Sequence, residues 1–85
     1  MELRQYRYFI AVAEQLHFAR AAELLGITPP SLTRQIQDME RELGVSLFHR
    51  TKRSVALSAA GEVLLTEARL ALLQCDRAEE RVRRA

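Results

Sequence analysis

Apolar residues recur at helical spacing along most of this chain. Leu3, Tyr6, Phe9, Ile10, Ala13 and Leu16 fall on one face of a first helix. His17 interrupts, and Phe18, Ala21, Ala22 and Leu25 repeat the pattern over a short second helix. Gly26 follows where a helix end commonly needs a left-handed residue. A third helix carries Leu32, Ile36, Met39 and Leu43 and stops at Gly44. Its start is tightly specified. Thr28 suits the N-cap, and Pro29 takes the first helical position, where a missing N–H costs nothing. Pro30 at the second position has no N–H either, so the cap bond must go to Ser31. Ile27 and Leu32 are spaced to form a hydrophobic staple around this cap.

The period changes over residues 45–57. Leu47, Val55 and Leu57 fit short alternating strands, and Thr51-Lys52-Arg53-Ser54 makes a polar connection between them. Such a small ribbon must lean on the helices. From Ser58, a good N-cap, to Ala85 there is no proline, and only Gly61 weakens a long last helix. Its apolar positions Leu64, Ala68, Ala71, Cys75, Ala78 and Val82 form one stripe, widened by Leu65 and Leu72. At 1.5 Å per residue this helix is about 40 Å long and outruns the body before it. An exposed stripe of that length predicts pairing with a second copy.

Composition narrows the class. Eighty-five residues, 48% of them hydrophobic, make one small domain with at most one appended element and exclude a disordered tail. No apolar run is long enough for a membrane helix, and the start MELRQYRYF is no signal peptide, so a cytoplasmic location is expected. The lone Cys75 rules out a disulfide framework. His17, His49 and Cys75 share no metal-ligand spacing, and no paired carboxylates or Ser/His/Asp arrangement is visible, which argues against an enzyme.

The net charge of +2 says less than its distribution. No acid lies between Leu43 and Gly61, yet Arg50, Lys52 and Arg53 fall within four positions. A basic cluster of this kind suits a polyanion. Two short helices joined by a tight turn, the second polar on one side, make a helix-turn-helix. Ala22 is small where the helices cross, Gly26 makes the turn, and Leu32 plugs the shared core. Opposite that core lie Ser31, Thr33, Arg34, Gln35 and Asp38, the kinds of group that read base edges and phosphates. The basic ribbon beside them has the form of a wing reaching the backbone or the minor groove. Arg34 could instead pair with Asp38, Arg20 with Glu23, and His49 could be structural.

The stretches Phe18-Ala-Arg-Ala-Ala22, Leu24-Leu-Gly-Ile-Thr28, Leu32-Thr-Arg-Gln-Ile36, Leu43-Gly-Val, Leu47-Phe-His-Arg50-Thr and Leu57-Ser-Ala-Ala-Gly61 together resemble the N-terminal DNA-binding domain of LysR-type transcriptional regulators. The resemblance implies a mainly α fold. A winged helix-turn-helix, three helices plus a two-stranded β wing, spans residues 1–58. Its helix-turn-helix covers about 18–37 and its wing about 46–57. A linker helix over 59–85 dimerises the protein through Leu64, Leu65, Ala68, Ala71, Leu72, Cys75 and Val82.

The same resemblance implies binding of double-stranded promoter DNA at an interrupted inverted repeat. The expected contacts are Thr28, Pro29, Pro30, Ser31, Thr33, Arg34 and Gln35 on the third helix, and Arg50, Lys52 and Arg53 on the wing. It also implies a C-terminal effector-binding domain absent from this chain, a small-molecule effector bound there, no cofactor in this part, and a tetramer in the full-length protein. Two residues depart from the family pattern. Pro29 stands where that family usually has Gln, which leaves only apolar contact with a thymine methyl. His17 stands where Ser or Asn often caps the second helix, which weakens that cap by roughly 1 kcal/mol unless something replaces it. A protein-binding winged helix and a free-standing dimerisation or antirepressor module are the other readings. Salt dependence separates them from DNA binding.

Overall fold

A computed structural model describes all 85 residues. Helix α1 (Leu3–Gln15) is followed by α2 (Phe18–Leu25), α3 (Pro29–Leu43), strands β1 (Phe48–Arg50) and β2 (Val55–Leu57), and α4 (Ala59–Arg84). The strands pair antiparallel, with Phe48 opposite Leu57 and Arg50 opposite Val55. This is the winged helix-turn-helix with a long last helix that the periodicity predicts.

Local chemistry sets the boundaries. The Thr28 hydroxyl accepts the Ser31 N–H at 3.3 Å, the one first-turn donor the two prolines leave within its reach. Gly26 and Gly44 close α2 and α3 in the left-handed region, with φ of 71° and 73°. Leu16 closes α1 at φ 50°, an end that no glycine announces. His17 corrects the expected weakness at the start of α2: its Nδ1 accepts the Arg20 N–H at 3.1 Å, so the imidazole itself supplies the cap. Thr28→Ala should cost about 1 kcal/mol. In a domain this small that lowers Tm by roughly 4–8 °C, which thermal circular dichroism can read. An unchanged Tm would mean that the prolines alone hold the helix start.

The core gathers Phe9, Val12 and Ala13 from α1, Phe18, Ala21 and Ala22 from α2, Leu32, Ile36 and Met39 from α3, and Leu47 and Phe48 from the wing root. Ala21 and Ala22 are fully buried, since small side chains let α2 cross its neighbours closely. Phe48 stacks at 5.3 Å on Phe9 and meets Phe18 edge-on at 5.9 Å, which docks the ribbon on the helices.

Helix α4 departs from the sequence reading. Its stripe is not free for a second copy along its whole length. Ala68 is fully buried within the protomer, and Leu64 and Leu65 pack against the protomer's own core. Ala71, Leu72 and Cys75 are half-buried, and only Ala78 and Val82, the latter at 74% exposure, stand clear. The reason is that α4 lies along α1, tied by Arg69 to Glu14 at 3.2 Å, and must cover that helix first. Its exposed large apolar side chains are instead Val63, Leu70 and Leu73, besides Val82.

The root of α4 is locked. The Ser58 hydroxyl accepts the Gly61 N–H and donates to the Ser46 carbonyl, while the Ser58 N–H donates to the Leu47 carbonyl. Gly61 packs so tightly that a Cβ there would lie 2.1 Å from the Leu47 carbonyl oxygen.

Candidate nucleic-acid interface

Helix α3 buries Leu32, Ile36 and Met39 and leaves the opposite side in solvent. Pro29, Pro30, Ser31 and Arg34 are exposed, and Thr33 is half-buried at the edge. Thr28 donates its hydroxyl proton to the Ser31 Oγ at 2.9 Å, so the two hydroxyls form one unit at the helix start. Gln35 does not share this face. It stands three residues after Leu32 and four before Met39, and it turns toward α1, where the Gln5 amide donates to its oxygen at 3.5 Å. The Gln5 oxygen meanwhile accepts the Glu2 N–H at the start of α1. Gln37 is the amide that the sequence reading missed. It is exposed three residues after Arg34, and helical spacing alone could have placed it there.

The ion pairs sort the cations. Asp38 pairs with Arg41, not Arg34, so the guanidinium of Arg34 has no protein carboxylate. Glu23 likewise makes no bridge to Arg20. Arg4, Arg69, Arg83 and Arg84 are all paired with acids elsewhere on the protein. Eight cations make no ion pair: Arg7 on α1, Arg77 and Arg81 on α4, and Arg20, Arg34, Arg50, Lys52 and Arg53, which all belong to α2, α3 and the wing.

Two devices fix the wing. At its tip the Thr51 hydroxyl accepts the N–H groups of Arg53 and Ser54, and the Thr51 N–H donates to the Ser54 carbonyl at 2.9 Å. This turn presents Lys52 and Arg53 with an ordered backbone beneath them. At its base, alternation along β1 puts Arg50 on the same side as buried Phe48. The Arg50 guanidinium carbon therefore sits 3.8 Å from the centre of the Phe18 ring. An open cleft of about 250 Å³ lies between the start of α2 and the wing, lined by His17, Phe18, Arg50, Lys52 and Arg53 among others. His49 is exposed on the other side of the ribbon.

A cationic face built on a helix-turn-helix and a short wing defines a regulatory nucleic-acid-binding fold. Residues 3–62 match the family described as bacterial regulatory helix-turn-helix protein, lysR family, and the chain belongs to it. The chain is 57% identical over 74 residues to the HTH-type transcriptional regulator AlsR of Bacillus subtilis (strain 168), covering 87% of this chain and 24% of that protein. It is 52% identical over 84 residues to the Hca operon transcriptional activator HcaR of Escherichia coli (strain K12), covering 99% of this chain and 28% of that protein. The chain thus spans about a quarter of the length of these curated relatives. Among solved structures, the CbnR DBD–DNA complex superposes with a TM-score of 0.94 at 46% identity over 98% of this chain and 95% of that one. The BenM DBD complex with benA site 1 DNA also reaches 0.94, at 40% identity over 99% of this chain and 94% of that one. No helix is long and apolar enough to cross a membrane.

Proposed function

We propose that this chain is the sequence-specific DNA-binding part of a LysR-type transcriptional regulator. The observation that carries this reading is the clustering of charge: five of the eight cations without an ion pair share α2, α3 and the wing, while nearby Arg41 is neutralised by Asp38. Helix α3 enters the major groove, with Pro29, Pro30, Ser31, Thr33 and Arg34 at the bases and Gln37 at the groove edge. Pro29 and Pro30 offer apolar contact to thymine methyl groups. The Thr28–Ser31 hydroxyl pair meets a phosphate, and Arg50, Lys52 and Arg53 follow the backbone into the adjacent minor groove. The solved DNA complexes of CbnR and BenM support this reading by likeness.

Two copies bind together at an interrupted inverted repeat in promoter DNA. The longer protein acts in the cytoplasm as a regulator without catalytic activity. It senses a small molecule through a domain beyond this chain, and it assembles as a tetramer.

Selection of bound duplexes from a random pool tests the proposal. An interrupted inverted repeat should emerge, with affinity that falls steeply as salt rises through counterion release. Recovery of no motif, with salt-independent association to protein partners instead, would favour a protein-docking module. Arg53→Ala should weaken selected and random DNA comparably and lower the salt slope by roughly one unit, as removal of a backbone or minor-groove cation does. A loss confined to the selected site would assign Arg53 to base reading instead.

A further inference from the structure

The leading tip of α3 is built almost without hydrogen-bond donors. Pro29 and Pro30 occupy its first two positions, and both are exposed. Neither has an N–H, and their carbonyls accept bonds inside the helix. The Ser31 N–H goes to the Thr28 hydroxyl at 3.3 Å, and the Leu32 N–H to the Thr28 carbonyl at 3.0 Å. Of the N–H groups usually free at a helix start, only that of Thr28 remains, on the cap residue before the first turn. Helix ends ordinarily hold phosphate through such groups, and this one is poorly equipped to do so. What the tip presents instead is hydrocarbon, in two adjacent pyrrolidine rings.

Few surfaces in a major groove match that chemistry. Purine edges carry acceptors and cytosine carries an amino donor, and a ring laid over either leaves it unpaired. The apolar group there is the methyl at the 5-position of a pyrimidine. Thymine always has it, and cytosine has it when methylated. Beside that methyl the two bases differ, with an oxygen acceptor on thymine and an amino donor on cytosine. The proline rings cannot sense the difference. Ser31, the neighbouring polar side chain, does not sense it either. Its oxygen accepts the Thr28 hydroxyl proton at 2.9 Å, which leaves its own proton and a second lone pair free. It can donate to the one base or accept from the other.

We infer that the Pro29–Pro30 tip reads a pyrimidine 5-methyl group, so that 5-methylcytosine stands in for thymine at its position in each half-site. This rests on the proposed docking of α3 in the major groove and adds a second ligand class, cytosine-methylated DNA. Arg34, a donor only, stands one turn beyond Pro30 and meets a separate base pair. Methylation of one cytosine then strengthens a site without any change of sequence.

Deoxyuridine is thymine without its methyl, so it isolates the contact. In the selected duplex, thymines are replaced by deoxyuridine one position at a time, in both half-sites together. One position should lose about 15-fold in affinity, since burial of a methyl is worth about fourfold in each half-site. A cytosine duplex at that position should bind weakly, and 5-methylcytosine should raise its affinity by the same factor. In the double variant Pro29→Ser, Pro30→Ser, which keeps the Thr28 cap, both ratios should fall to near one. Each ratio compares two duplexes on one protein preparation, so partial unfolding of the variant leaves it unchanged. If no thymine methyl matters, the inference is overturned while the selected motif and its salt dependence stand. A loss with deoxyuridine but no gain with 5-methylcytosine also overturns it, and assigns the tip to thymine alone. Ratios that persist in the double variant place the contact on another residue. A chain that selects no motif removes the proposed function itself.

Discussion

Gly61→Ala should be strongly destabilising. The added Cβ would lie 2.1 Å from the Leu47 carbonyl oxygen and 2.9 Å from the Leu57 side chain. The oxygen is backbone and accepts the Ser58 N–H, so it cannot swing aside without giving up a bond at the wing root. Overpacking of this kind costs on the order of 3 kcal/mol. Small domains rarely have more than 5–15 kcal/mol in total. Gly26→Ala is the informative control: nothing lies within 4 Å of its added Cβ, and only its φ of 71° opposes the change, at roughly 1–2 kcal/mol. Urea unfolding should rank the two in that order. Equal or reversed losses would show that the contact between α4 and the wing relaxes easily.

Arg34→Ala should have the largest effect on recognition. Its guanidinium carries no ion pair and projects from the exposed side of α3. Loss of a bidentate base contact costs about 1–3 kcal/mol on the selected duplex and less on random DNA. Arg34→Lys keeps the charge but not the fork, so it should recover random binding more fully than selected binding. Asp38→Ala works in the opposite sense: it frees Arg41 and should tighten binding to both duplexes at low salt. If Arg34→Ala weakens both duplexes equally, the residue positions the backbone, and discrimination rests on Pro30, Ser31, Thr33 and Gln37.

What the sequence made legible was local. Thr28, Gly26, Gly44 and Ser58 act within one turn of themselves, so propensity and spacing placed the helix ends and the turn. Choices between two permitted partners were not legible. Arg34 and Arg41 stand four and three residues from Asp38, and both spacings allow an ion pair. The stripe on α4 was real, yet a stripe does not say whose surface it covers; α1 of the same protomer claims Ala68. The stacking of Arg50 on Phe18 joins residues far apart in the chain and needs the docked ribbon to exist. Gln35 and Gln37 are a different case. The positions of Leu32, Ile36 and Met39 already fix which amide faces inward.

The clasp at Ser58 has a mechanical meaning. Two bonds from Ser58 and the close seat of Gly61 join the first turn of α4 to residues 46 and 47, at the base of the wing. A torque applied at the far end of α4 therefore has no hinge to spend itself on, and it turns helix-turn-helix and wing together as one rigid reading head.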